Sequence, residues 1–207
     1  MKAALDKIVA KDLACERGGR AVFRDLNFSL SRGAALSLEG ANGAGKTSAL
    51  RIMAGLLSPS AGEISFRGLD CEVTDGEERG RFVGWIGHLD GIKNQMTVLE
   101  NAQFFAALYV SASSVGRTLE RIGLSRAFNL PAQYLSAGQR RRLALARLIL
   151  SNRPLWLLDE PLAALDSAGK GLMAALIKEH CEAGGITIAA THDPLGIDAE
   201  CLVMGAP

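Results

Sequence analysis

At 207 residues the chain has room for one large domain or two small ones, and its 48% apolar and 22% charged residues are those of an ordinary globular protein. A formal net charge of +1 argues against a general polyanion binder, so no nucleic-acid partner is expected, and no apolar run approaches the roughly 18–20 residues that a bilayer-spanning helix needs. In the opening stretch Asp6, Lys7, Lys11 and Asp12 interrupt any apolar core of the signal-peptide kind, and the chain is expected to be made and kept in the cytoplasm.

Residues 34–40, AALSLEG, are a short apolar run closed by glycine and predict a buried strand. Residues 46–57 then show helical periodicity, stopped by SPSAG. Between the two lies GANGAGKT, which fits G-x-x-x-x-G-K-[ST] in the strand-to-helix setting that a phosphate-binding loop requires. The segment Gly40, Ala41, Asn42, Gly43, Ala44 and Gly45 lets backbone N–H groups curl around phosphate oxygens, and the helix start adds its positive end. Lys46 is placed to reach the outer phosphates, Thr47 to ligate Mg²⁺ and Ser48 to touch phosphate.

Farther on, 62–68 alternates like an edge or antiparallel strand, and 81–88 is a second buried-strand candidate. From about 97 to 130 the pattern is helical, over 97–110 and 114–124. The next helix, 138–151, has an odd beginning. Ser136 followed three residues later by Gln139 is a capping box, yet Gly138 sits in the first turn, where it costs roughly 1 kcal/mol against alanine. A bare backbone there suits a close approach by another group. Arg140, Arg141, Arg142 and Arg147 follow; a run of this kind is ordinarily a solvated helix face, and at a helix start it also raises the local potential.

PLWLLDEP, 154–161, is an apolar strand that delivers Asp159 and Glu160. The pair either caps the following helix or, with a phosphate loop in the same chain, supplies a magnesium ligand in Asp159 and a base for the attacking water in Glu160. A helix over 168–184 precedes a last apolar strand, 185–193, which ends at His192. Ligands gather at the carboxyl ends of parallel strands, where Lys46, Asp159 and His192 all fall, so His192 is expected to contact the γ-phosphate rather than serve as a simple turn residue. His180 reads as a solvated helix residue, and Trp85 and Trp156 as core side chains. Cys15, Cys71, Cys181 and Cys201 form no CxxC pair and read as reduced structural thiols. Strands as unbroken apolar runs alternating with helices imply an α/β fold with a largely parallel sheet, and the helical stretch near 90–135 a smaller lobe of one domain spanning 1–207.

The ordered set GANGAGKT, LSAGQ, LWLLDEP and AATHD resembles ABC-type ATPases over essentially the whole chain. The resemblance implies a P-loop NTPase core of ABC type, with a mixed, largely parallel sheet flanked by helices, an antiparallel β edge and a helical subdomain, using ATP and Mg²⁺. The family signature falls on Ser136, Ala137, Gly138 and Gln139, and the D-loop acid on Asp166 in AALD. In that family two cassettes pair head to tail, so a homodimer is implied, with Gly138 leaving room for the γ-phosphate of the partner's ATP. Two positions depart from the family pattern: its adenine-stacking aromatic falls on Arg17, and its Q-loop glutamine on His88. CERGGRAVFRDLNFSL, GHLDGIKNQMTVLEN and the short chain narrow the resemblance to the haem-exporter ATP-binding subunits of bacterial cytochrome c maturation. That likeness implies a peripheral subunit on the cytoplasmic face of the inner membrane, bound to integral membrane transporter subunits of the maturation complex. The same motifs also serve an exporter of another small cargo or a soluble ABC-type ATPase, although the latter usually carries two cassettes or long coiled coils.

Overall fold

A computed structural model describes residues 5–68, 72–87 and 90–205. Two sheets share the molecule. The first is antiparallel, with strand order β2-β1-β4-β5, built from β1 (Lys7–Arg17), β2 (Arg20–Ser31), β4 (Ala61–Arg67) and β5 (Glu72–Val73). The second is parallel, with order β6-β7-β8-β3-β9, built from β3 (Ala35–Glu39), β6 (Val83–Ile86), β7 (Leu155–Asp159), β8 (Ile186–Ala190) and β9 (Glu200–Val203). The α-helices of the described residues are α1 (Lys46–Met53), α2 (Gly76–Arg79), α3 (Val98–Leu108), α4 (Val115–Arg121), α5 (Ala137–Ser151) and α6 (Ser167–Glu182), with short 3-10 turns at Gly80–Phe82, Ser125–Ala127 and Ala132–Tyr134.

The central strands β3, β7 and β8 of the parallel sheet are buried on both faces, which is why they read as unbroken apolar runs. Along β7 the side chains alternate: Leu155 and Leu157 enter a core with α1 and the antiparallel sheet, while Trp156 and Leu158 enter a second core with α3, α4, α5 and α6. Each such leucine, wholly withdrawn from water, contributes about 1.5–3 kcal/mol. In β8, Ile188 belongs to the first core and Ala189 to the second.

The long β1–β2 hairpin lies outside the runs that periodicity predicts. Its alternation is broken by bulges at Asp12 and Asp25, both in the left-handed region at φ 47° and 53°. Asn27 bridges the two: its Oδ1 accepts from the Asp12 N–H at 2.9 Å and its Nδ2 donates to the Asp25 carbonyl at 3.1 Å. A bulge shifts the register by one residue, so Phe23, Leu26 and Leu30 bury their side chains at i, i+3 and i+7, a spacing that breaks the strand period of two and mimics a helix. The expected helix at 46–57 stops at Met53, where Ala54 and Gly55 close its last turn onto Leu50 and Ile52.

Between α3 and α5 the chain is pinned by backbone bonds, among them Val98 N–H to the Leu130 carbonyl and Ala132 N–H to the Met96 carbonyl, at 3.1 and 2.9 Å. Asn101, fully buried, holds residues 93–97 by accepting from the Lys93 N–H and donating to the carbonyls of Lys93, Met96 and Thr97. His180 departs from expectation: its ring stacks on Trp156 with centroids 4.0 Å apart and planes 7° off parallel. A helix facing a sheet through its last turns packs that ring instead of solvating it. Cys15 is buried, Cys181 half-buried and Cys201 exposed, all as free thiols; Cys71 lies outside the described residues. Among the described residues no helix is long and apolar enough to cross a membrane.

Candidate nucleotide site

Three parallel strands, β3, β7 and β8, end at one edge of the sheet, and each delivers part of the site. After Glu39, β3 turns into the glycine-rich loop. Gly40, Gly43 and Gly45 take φ of 141°, 87° and 93°, values that L side chains rarely adopt, and a Cβ on Gly45 would stand 2.8 Å from side-chain carbons of Val22 and Phe23. The loop is closed by the Ala44 N–H donating to the Ala41 carbonyl at 3.1 Å. Helix α1 then opens at Lys46, so its unpaired N–H groups and positive end face the cleft.

Lys46 is 8% exposed. Its Nζ donates to the Gly40 carbonyl at 2.7 Å and to the Ala41 carbonyl at 3.3 Å, and lies 3.1 Å from His192 Nε2. The Thr47 hydroxyl reaches both carboxylate oxygens of Asp159, at 3.1 and 3.0 Å. A hydroxyl and a carboxylate converging in this way form an all-oxygen donor pair, the kind that suits Mg²⁺ completed by water and substrate phosphates. Among the described residues there is no cluster of three or more His, Cys, Asp or Glu side chains that could hold a metal ion. Ser48 is buried beside Thr47.

β7 ends at Asp159, and Glu160 follows in the left-handed region at φ 47°. Such a conformation costs a non-glycine residue on the order of 1–3 kcal/mol and persists where the surroundings over-determine it. The Glu160 N–H donates to the Ala190 carbonyl at 2.8 Å, and the side chain turns toward His192, with Oε1 3.7 Å from Nε2. His192 follows β8 and is steadied by its neighbours: the Thr191 hydroxyl and the Asp193 N–H bond at 3.0 Å, and Lys170 pairs with Asp193 at 2.7 Å. His192 Nε2 also lies 3.0 Å from Asn42 Oδ1, so one ring nitrogen meets Lys46, Asn42 and Glu160. The intervening cleft, of about 410 Å³, is lined by Arg17, Val22, Asn42, Gly43, Gly45, Lys46, Thr47, Ser48, Asp159 and Glu160. Arg17 thus joins the phosphate loop in one cleft, at the β1–β2 end, with Val22 as a lining residue that periodicity did not single out. His88 lies outside the described residues.

The LSAGQ segment is elsewhere: none of Ser136, Ala137, Gly138 and Gln139 lines that cleft. Its capping box is formed as expected, Gln139 N–H donating to Ser136 Oγ at 3.2 Å and Ser136 N–H to Gln139 Oε1 at 2.9 Å. Ser136 and Ala137 are exposed. Gly138 also has a reason for its bare backbone within the chain: a Cβ there would stand 3.2 Å from the Ala164 carbonyl, in the turn before Asp166. Asp166 caps α6 by accepting from the Gly169 N–H at 2.8 Å and pairs with Arg142 at 3.0 Å. These two contacts, the backbone bond first, hold its carboxyl below the ordinary aspartate value.

The solvated arginine face does not exist as expected. Arg141 is 6% exposed and spans from α5 to the turn at Asp159 and Glu160. Its Nη2 donates to the carbonyls of Asp159 (3.0 Å) and Glu160, its Nε to that of Pro161 (3.3 Å) and its Nη1 to that of Gly87 (3.0 Å), with Asp90 Oδ1 3.5 Å away. Burial lowers the affinity of this guanidinium for its proton and Asp90 partly restores it. Arg147 donates to the Trp85 carbonyl at 2.6 Å, and Arg140 to Asn94 Oδ1 at 2.9 Å. The signal was present in the sequence: Arg141 stands at helical spacing from Leu145 and Leu148, on the apolar stripe of α5.

This arrangement has relatives. The ABC transporter family profile matches residues 23–163, from within β2 through the phosphate loop, the LSAGQ helix and the Asp159–Glu160 corner. The cytochrome c biogenesis ATP-binding export protein CcmA of Rhodopseudomonas palustris strain HaA2 is 45% identical over 97% of this chain and 98% of its own length. Its counterpart from strain BisB5 is 47% identical over 95% and 96%. The chain belongs to the ABC transporter family, in its CcmA group. As an ABC subunit it binds ATP and is an ATPase. The fold agrees: a putative ABC transporter ATP-binding protein from Pyrococcus furiosus superposes with a TM-score of 0.83 over 96% of this chain and 97% of that one, at 20% identity.

Proposed function

We propose that this ABC ATPase powers the export of haem, or its release from a carrier, during the biogenesis of c-type cytochromes, as a peripheral subunit on the cytoplasmic face of the bacterial inner membrane. The near-full-length likeness to CcmA proteins carries this reading, and the convergence of Lys46, Thr47, Asp159, Glu160 and His192 at one sheet edge supports its chemistry. Two copies pair head to tail and associate with integral membrane subunits of the maturation machinery.

In each site the loop from Gly40 to Gly45 and the start of α1 bind the phosphate chain, with Ser48 behind them. Lys46 releases its carbonyl partners to reach the outer phosphates, and Arg17 lays its guanidinium plane against the base. Thr47 and Asp159 hold Mg²⁺, which when bound neutralises charge on the outer phosphate oxygens. Glu160 accepts a proton from the water whose oxygen attacks the γ-phosphorus, ADP leaves, and His192 orients the γ-phosphate. Gly138 and the capped start of α5 close over the partner's γ-phosphate, where helix N–H groups favour negative charge.

A tagged chain pulled down from detergent-solubilised native membranes tests the assignment. Haem-handling integral membrane proteins in the eluate are expected. Unrelated permease subunits overturn the haem assignment and keep the transport one; recovery with ribosomes or DNA alone overturns both.

A further inference from the structure

Glu160 needs two things from its surroundings: a backbone held at φ 47°, and a carboxyl aimed at the cleft. β7 supports the strand only as far as Asp159. Beyond it, the left-handed turn gathers three successive carbonyls, of Asp159, Glu160 and Pro161, around a single guanidinium, that of Arg141. The other edge of the same guanidinium takes the Gly87 carbonyl at the end of β6 and faces Asp90. A planar five-donor fork suits this task, because one rigid group satisfies oxygens on two strands at once. The stem is rooted on α5, five residues after Ser136.

We propose that Arg141 is a positioning residue for hydrolysis: it fixes the corner that aims Glu160 at the attacking water, and it ties that corner to the helix whose first turn serves the partner's nucleotide. Among the described residues its hydrogen-bond and ion-pair partners are Gly87, Asp90, Asp159, Glu160 and Pro161, none of them in the phosphate loop. Its removal therefore disturbs the water-activating side of the site and spares nucleotide binding. The inference rests on Glu160 being the base. A second arginine, Arg140, lies 3.9 Å from Asp90 and does not reach the corner carbonyls, so it does not substitute.

The test compares Arg141→Gln, Arg141→Lys, Glu160→Gln and the double variant Arg141→Gln/Glu160→Gln by ATP affinity, steady-state kcat and single-turnover hydrolysis of labelled ATP. Arg141→Gln is expected to lower kcat roughly 10–100-fold, the cost of a base misplaced by about an ångström, while ATP Kd changes by less than about twofold. Arg141→Lys, which keeps the charge and part of the bonding, is expected to recover part of the rate. The double variant is expected to turn over no more slowly than Glu160→Gln, because the arginine acts through the glutamate. Losses that multiply in the double variant, or an ATP Kd that rises in step with the fall in kcat, overturn the proposal. Where Arg141→Gln does not fold, Arg141→Lys carries the same comparison, and its parent-like kcat would overturn the proposal. Parent-like turnover by Glu160→Gln alone marks failure of the base assignment, a different result from any of these.

Discussion

The phosphate-loop end and the LSAGQ end of this molecule are built to opposite plans. At the first, the polar groups already answer one another: Lys46 is seated on the loop carbonyls beside His192, and Thr47 lies against Asp159. At the second, the helix start is capped by its own Ser136 and Gln139 and otherwise exposed, facing no cleft that holds the loop. A group folded onto its neighbours can take a ligand within one chain. An open, capped helix end carries donors for something supplied from outside, and on the proposed dimer that is the partner's nucleotide.

The difference sorts the expected effects of mutation. Glu160→Gln should cut turnover by roughly 10²–10⁴-fold, the range for loss of a general base, while ATP binding persists and holds the dimer closed; an ATP-dependent rise in mass by light scattering, alongside the hydrolysis rate, reads both. Lys46→Ala removes a charged donor from the phosphates and should weaken ATP binding roughly tenfold to a hundredfold, consistent with about 1.5–3 kcal/mol for a charged hydrogen bond, as titration of the monomer with a fluorescent ATP analogue would report. Gly138→Val should leave monomer ATP affinity within about twofold yet abolish ATP-driven dimerisation, since the steric change lies at a helix end that the cleft does not include. Equal loss of monomer binding would erase the distinction between the two ends.

The smallest effect concerns Asp166. Its carboxyl titrates below the ordinary value of 3.8 in the folded chain, through the Gly169 N–H and Arg142. A depressed acid stabilises the fold above its unfolded pKa, and that contribution disappears as pH falls through the folded value. The melting temperature of Asp166→Ala should therefore lie below the parent's at pH 7, and the gap should narrow as the pH is taken below about 3.8. A gap that stays constant would assign Asp166 a role independent of its charge.

What the sequence disclosed follows the same physics. The phosphate loop, the apolar strands on either side of it and the capping box at Ser136 are local patterns, and the chain realises them locally. The β1–β2 hairpin escaped notice because bulges at Asp12 and Asp25 break its alternation, and β9 because four residues, mostly exposed, make no pattern. Arg141 was misjudged for a different reason. A guanidinium on an apolar stripe becomes intelligible once three carbonyls from a left-handed turn, distant in sequence, are seen to need a donor.

The most direct test of cross-chain closure mixes two inactive variants. Lys46→Ala spoils the phosphate loop and Gly138→Val spoils the signature, so a heterodimer of the two keeps one intact pair, the loop of one chain against the signature of the other. If the two ends serve partner nucleotides, mixing restores ATP hydrolysis to a substantial fraction of the parent rate. If loop and signature act within one chain, every chain in the mixture is defective and the activity stays at the level of the separate variants.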